Sequence, residues 1–351
     1  MRAKYLAAAC LLVVAACNRR PAHRRLTLAV IPMGTTHEYW KSIHAGAVKA
    51  AREEGVDLVW KGPQKEDDRA QQIAVVEDMI SRHVDGIILA PLDGKGLQNP
   101  VSEARRAGIP AVIVDSHLEG DDYVSFIATD NYQGGRLGAR RLAETLGDKG
   151  SIILMRVLVG VESTMARERG FLDEIHKHPG IRILSDNQYG GITTETAYQT
   201  GENLLNRFPD VDGIFCPNES TTFGMLRALT DAGKAGKVKF VGFDSSEKLI
   251  DALRRKQIDG LVLQNPFRMG ELGVKTLVRY LHDPQAAIER RIDTGAVVAT
   301  PANMDTPEIK QLLSPPLDQY LSRSSPDTAA PVLGKQIKRD AAGFDAPVIS
   351  G

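Results

Sequence analysis

LTLAVIPMGTTHEYWKSIHAGAVKAAREEG, residues 26–55, carries the pattern that decides the fold. Leu26 to Met33 is an apolar run with little polar interruption, which suits a strand buried on both faces of a parallel sheet. A helix is expected next. Thr35 and Glu38 stand three apart, as in a capping box, ahead of Ile43, Ala47, Ala50 and Ala51 at helical spacing. Gly55 is the expected stop. Between strand and helix, Gly34 to Trp40 forms a loop and first turn with unpaired backbone N–H groups, at the edge where open α/β sheets take ligands.

The same unit recurs along the chain. Strands are expected at 57–61, 86–92, 111–115 and 125–128, with helices at 66–82 and 96–107 between them. A second series starts near Asn131 with a helix over 132–146. It continues through strands at 151–157, 181–185, 213–216, 239–243 and 260–264 and helices at 164–176, 194–207, 221–232 and 247–255. Strands alternating with helices of this length mean right-handed βαβ units and parallel sheets. The 351 residues, 42% hydrophobic and 25% charged, exceed one typical domain, so two similar α/β lobes are expected, divided near residues 129–131. The helix over 268–282 and the run 294–300 do not complete a domain and are expected to return to the lobes already built.

Both ends differ from this pattern. Residues 1–16 have Arg2 and Lys4, an apolar core, and small residues before Cys17, the layout of a secretory signal. Val14-Ala15-Ala16-Cys17 resembles a bacterial lipobox, in which the cysteine is lipidated and becomes the first residue. The apolar stretch is shorter than the ~20 residues a membrane span needs. Residues 17–25 read as a lipidated tether rich in arginine. Loss of Arg2 and Lys4 with the signal changes a balance of 44 basic and 44 acidic residues to about −2, which gives a nucleic-acid partner no electrostatic support. Cys216 stays alone in an apolar strand and reads as an inert buried thiol. Seven of the 18 prolines fall in the last 51 residues. One short helix ending at Leu313 is expected there, then a mostly disordered tail beyond Ser322.

Candidate site residues sit where apolar strands end. AVIVD closes on Asp115, GIFCPN on Asn218, KFVGFD on Asp244 and GLVLQ on Gln264, at the carboxyl edge facing the crevice. Each could also be an N-cap of the next helix. Four such residues in two lobes point to a polar ligand between them. Tyr39 and Trp40 open the first helix at the same edge, where aromatic faces stack on the apolar face of a sugar while carboxylates and amides take its hydroxyls. Arg169 offers a fork of donors, or pairs with Asp173 one turn on. His37 is a weaker candidate in the loop. Nucleotide, zinc-protease, redox and nucleophile-elbow motifs are absent, and no histidine has a metal-ligand partner at a known spacing, so neither enzyme chemistry, a cofactor nor a metal is expected.

Taken together, residues 26–55, GIILAPLD, IPAVIVDS with IATDNYQGGRLGA, MARERG, IFCPNES with FGMLRAL, KFVGFDSS and GLVLQNPFRMGELG resemble the type I periplasmic substrate-binding proteins of the ribose and galactose class. The resemblance spans about residues 26–306. It implies two doubly wound lobes joined by three hinge crossings, near 129–130, 264–265 and 293–294. That places 26–129 with 265–293 in one lobe, 130–264 with 294–306 in the other, and 307–351 in a tail. It also implies a monomeric, lipid-anchored receptor in the periplasm or cell envelope that closes on a sugar or polyol and presents it to an ABC importer permease. The ribose-binding pattern maps its aromatics to Tyr39 and Trp40, its carboxylates to Asp115 and Asp244, its arginine to Arg169 and its amides to Asn218 and Gln264. Met33, His37 and Ser116 stand where ribose binders have serine, asparagine and arginine, which leaves a pentose, hexose, inositol or related polyol open. The alternatives differ in partner: a sensor feeding chemotaxis or a kinase would use the same lobes. A repressor would need a helix-turn-helix in front, where this chain has the signal and tether.

Overall fold

The computed structural model describes residues 24–322. The expected signal segment, Cys17, most of the tether and the tail beyond Ser322 lie outside the described residues. Strand β1 (Thr27–Ile31) is buried from Leu28 onward and pairs in parallel with β2 (Asp57–Trp60) on one edge and β3 (Gly86–Leu89) on the other. A strand with neither face nor edge in water needs the unbroken apolar run that the sequence has. Strands β4 (Ala111–Val114) and β5 (Ser125–Ala128) extend the sheet. Helices α1 (Glu38–Glu54), α2 (Arg69–Ser81) and α3 (Gln98–Arg106) connect them.

The second lobe repeats the plan with β6 (Gly150–Arg156), β7 (Ile181–Tyr189), β8 (Gly213–Phe215), β9 (Lys239–Phe243) and β10 (Gly260–Leu263). Its helices are α4 (Asn131–Leu146), α5 (Glu162–Ile175), α6 (Thr194–Arg207), α7 (Glu219–Asp231) and α8 (Glu247–Arg254). Helix α9 (Pro266–His282) and β11 (Arg291–Asp293) go back to the first lobe, and β12 (Val297–Ala299) to the second. The sheets run β2-β1-β3-β4-β5-β11 and β7-β6-β8-β9-β10-β12, one order twice, except that β11 is parallel to β5 while β12 is antiparallel to β10. This is the two-lobed, doubly wound α/β architecture expected from the sequence.

The chain therefore passes between the sheets after β5, after β10 and after β11. Two of these passages are fastened together: the Asp293 carboxylate accepts from the backbone N–H groups of Asp130, at 3.0 Å, and Gly295, at 2.8 Å. Both lobes also contain the same helix crossing. A Cβ on Gly46 of α1 would lie 1.9 Å from the Phe267 carbonyl oxygen of α9, and one on Gly135 of α4 would lie 1.9 Å from the Arg167 carbonyl oxygen of α5. Only glycine lets the backbones come this close.

Several boundaries differ from the sequence reading for local reasons. Helix α1 has no capping box: His37 is its N-cap without a side-chain bond, and Thr35 Oγ1 donates to the Pro63 carbonyl instead. Helix α2 starts at Arg69, not Glu66, because the Asp68 carboxylate accepts from Gln71 N–H and sets the first turn there. Helix α9 starts two residues early, with Pro266 in its first turn and Asn265 as cap. Edge strand β7 runs on to Tyr189 through register shifts against β6. Past Met304, α10 (Pro307–Leu313) buries Ile309 and Leu313 in the second lobe, and an unexpected α11 (Leu317–Leu321) lies on the first, its Tyr320 ring 5.7 Å from Phe267. Cys216 is fully buried, and burial pushes its thiol up. No helix among the described residues is long and apolar enough to cross a membrane.

Candidate functional site: a polar cavity between the lobes

The two strand-end aspartates are equivalent in conformation. Asp115 follows β4 with φ 65°, and Asp244 follows β9 with φ 66°. Few residues other than glycine adopt this left-handed conformation readily, and aspartate is one of them. The turn buries both carboxylates where the lobes meet, at 4% and 7% exposure. Tyr39 OH donates to Asp115 Oδ1 at 2.6 Å and lies 3.5 Å from Gln264 Oε1, while Gln264 Nε2 donates to Asp244 Oδ1 at 2.7 Å. With one hydrogen, the Tyr39 hydroxyl bonds Asp115 and only approaches Gln264, so these groups form a polar cluster where the lobes meet rather than one bonded chain. Ser163 N–H also donates to Ser116 Oγ across the gap, at 3.2 Å.

These groups line one cavity between the lobes. Met33, Val157, Val161 and Ile192 form its apolar wall. Tyr39 and Trp40 meet edge to face with ring centroids 5.0 Å apart, and both border the cavity. Asn218 is the N-cap of α7, its side-chain oxygen accepting from Thr221 N–H at 3.0 Å, and it borders the cavity as well. Capping and facing the crevice are one position here, because the strand end that opens onto the cavity is also where the next helix begins.

Of the sequence candidates, His37, Tyr39, Trp40, Asp115, Asn218, Asp244 and Gln264 come together around the cavity. Arg169 does not. It is 56% exposed, with Nη2 3.7 Å from Glu162 Oε2, and the expected partner Asp173 accepts from Tyr132 OH instead. The arginine in the cavity is Arg167, at 3% exposure. Two residues turn a helix by about 200°, so arginines at this spacing face opposite ways. Arg167 donates from Nε to Asn131 Oδ1 at 2.8 Å and from Nη1 to the Pro217 carbonyl at 3.0 Å, with its guanidinium 4.0 Å over the Phe243 ring.

Two acidic residues join the site without having been singled out. Glu66, in the loop ahead of α2, accepts from Trp40 Nε1 at 2.5 Å and pairs with His37 Nδ1 at 2.9 Å. Glu219, first residue of α7, accepts a long 3.4 Å bond from Tyr39 N–H across the gap. Burial opposes a charged His37, but the bond and charge of Glu66, with Glu219 and Asp244 behind, lift it to about 9. Burial raises Asp115 to about 6, against the pull of Arg167 and the Tyr39 hydroxyl and with neighbouring carboxylates adding to it. Glu219 rises to about 7, chiefly through burial, with His37 opposing. Burial raises Asp244 too, with Arg167 opposing. Among the described residues no three acidic, histidine or cysteine side chains are grouped to hold a metal.

Twin parallel-sheet lobes with a polar cavity at their strand ends define a ligand-binding protein of the hinged, two-lobed class. Residues 28–284 match the periplasmic binding protein domain, and the chain belongs to that family of substrate-binding transport components, which are not enzymes. It is 29% identical over 292 residues to the ribose import binding protein of Haemophilus influenzae, covering 83% of this chain and 97% of that one. A carbohydrate transporter solute-binding protein from Agrobacterium radiobacter in complex with D-arabinose superposes with a TM-score of 0.79 at 32% identity, covering 84% of this chain and 100% of the other. An ABC transporter solute-binding protein from Agrobacterium vitis with bound D-fucose gives 0.78 at 35%, covering 82% and 100%.

Proposed function

We propose that this protein is the periplasmic binding component of an ABC importer and that it takes a monosaccharide or related polyol between its lobes. The observation that carries the reading is the set of polar groups from both lobes around one cavity, Asp115 and Tyr39 with Asp244 and Gln264, where Tyr39 N–H to Glu219 and Ser163 N–H to Ser116 Oγ join the lobes. A ligand can favour closure only if it binds the closed form better than the open one, and contact with both lobes at once supplies that difference. Tyr39, Trp40 and Asp115 would grip one side of the molecule, with Arg167, Asn218 and Asp244 on the other. Cys17 would carry a lipid that keeps the receptor at the membrane beside its permease.

The test is a thermal-shift screen of the full chain against D-ribose, D-allose, D-arabinose, D-fucose, their amino counterparts and inositols. A ligand present at a hundred times its Kd adds about 2.7 kcal/mol of stability, a rise of a few degrees at this size. No shift with any member would overturn the reading. Replacement of Cys17 by serine should move the protein from the membrane to the soluble fraction.

A further inference from the structure

The charges around the cavity do not balance. Glu66 and Asp115 from the first lobe and Glu219 and Asp244 from the second face two cationic groups, Arg167 and His37. Both cations already have partners, although Arg167 uses only two of its five N–H groups on them. Arg167 makes its hydrogen bonds to the neutral oxygens of Asn131 and Pro217, and its Nη1 stays 3.9 Å from Asp244 Oδ2, too far to bond. His37 is spent on Glu66.

What remains is acid with spare acceptor capacity. Asp115 is 4% exposed, and only one of its two carboxylate oxygens receives a hydrogen bond among the described residues. Glu219 receives one long bond and no ion pair among the described residues. Leaving carboxylates this far from water with fewer cations than acids around them is costly. The upward shifts of Asp115 and Glu219, to which other cavity carboxylates contribute, reflect the same surplus. Sugar hydroxyls would supply hydrogen bonds but no charge. A ligand ammonium would supply both.

We propose that the cavity selects a monosaccharide-sized polyol bearing one protonated amine, an amino sugar or amino polyol, with the ammonium held by Glu219 and Asp115. The inference rests on the cavity being the ligand site, as proposed above, and adds the charge of the ligand. Isothermal titration of the full chain at neutral pH should compare three matched pairs: D-glucosamine with D-glucose, D-galactosamine with D-galactose, and D-mannosamine with D-mannose. In at least one pair the amine is expected to bind tenfold or more tightly than its neutral parent. Glu219→Gln or Asp115→Asn should cut that ratio at least threefold, because each removes an acid that can face the ammonium and keeps the side-chain shape. Neutral sugars that bind as tightly as their amines would overturn the amine assignment while leaving sugar binding standing. Silence from all six sugars would overturn the amine assignment, while sugar binding itself stands or falls on the wider thermal-shift screen. An amine preference unchanged in both variants would overturn the placement of the ammonium.

Discussion

Arg167 and Arg169 make the sharpest comparison, since the sequence treats them almost alike and the structure does not. Consider Arg167→Met, which keeps length and removes charge. The variant loses two charge-assisted hydrogen bonds, to Asn131 and Pro217, and the stacking over Phe243. Bonds to charged groups are worth about 1.5–3 kcal/mol each, partly offset because the thioether packs well on the ring. Asp115 and Asp244 also lose the positive charge that opposes their upward shifts. Removing one member of such a buried set costs about 3–5 kcal/mol. Arg169→Ala removes a side chain that is 56% exposed, with a partner at 3.7 Å, so its effect should stay within about 0.5 kcal/mol. Urea denaturation reads the stability of each variant, and titration with whichever sugar gives the largest thermal shift reads affinity. For Arg167→Met a hundredfold loss, about 2.8 kcal/mol, is expected; for Arg169→Ala, none beyond twofold. Sugar binding weakened equally by both, or left intact by Arg167→Met, would refute the assignment.

Three further perturbations follow from particular contacts. Gly46→Ala would drive a methyl group into the Phe267 carbonyl and force α1 and α9 apart, so urea midpoints should report a loss of about 3 kcal/mol or more; a loss under 1 kcal/mol would mean the crossing is far softer than its geometry. Asp244→Asn tolerates the left-handed backbone but loses the carboxylate that accepts from Gln264 and Glu219, so the fold should persist while small-angle scattering shows no ligand-induced contraction. His44 stacks on Trp60 at 4.2 Å, and burial depresses its pKa from 6.5 to about 4. Stability tied to the neutral ring is therefore present above pH 6.5 and lost as pH falls toward 4, with a ceiling of about 3 kcal/mol. His44→Phe should flatten this acid arm of the stability curve, and an unchanged arm would show that other groups cause it.

How far the sequence could be read depended on whether a feature is encoded locally. A buried parallel strand declares itself by an unbroken apolar run, and its end by the first polar residue, which is why Asp115, Asn218, Asp244 and Gln264 are legible in the sequence alone. Arg167 needed something more: the phase of a helix. It lies four residues before Phe171 and eight before Ile175, both fully packed, so that stripe would have pointed inward through Arg167. Arg169, however, lies three before the partly buried Leu172, and a turn's uncertainty was enough to exchange them. Glu66 was hidden by helical periodicity that continues upstream of the Asp68 cap, making a loop residue look like part of a solvated helix face. Glu219 looked like an ordinary acidic first-turn residue, which it is; its second role comes from Tyr39, 180 positions away in the chain and in the other lobe. The surplus of negative charge is the sum of such distant meetings. Each carboxylate has an unremarkable local explanation, and only the closure of two sheets around one cavity turns four of them into a single electrostatic demand on the ligand.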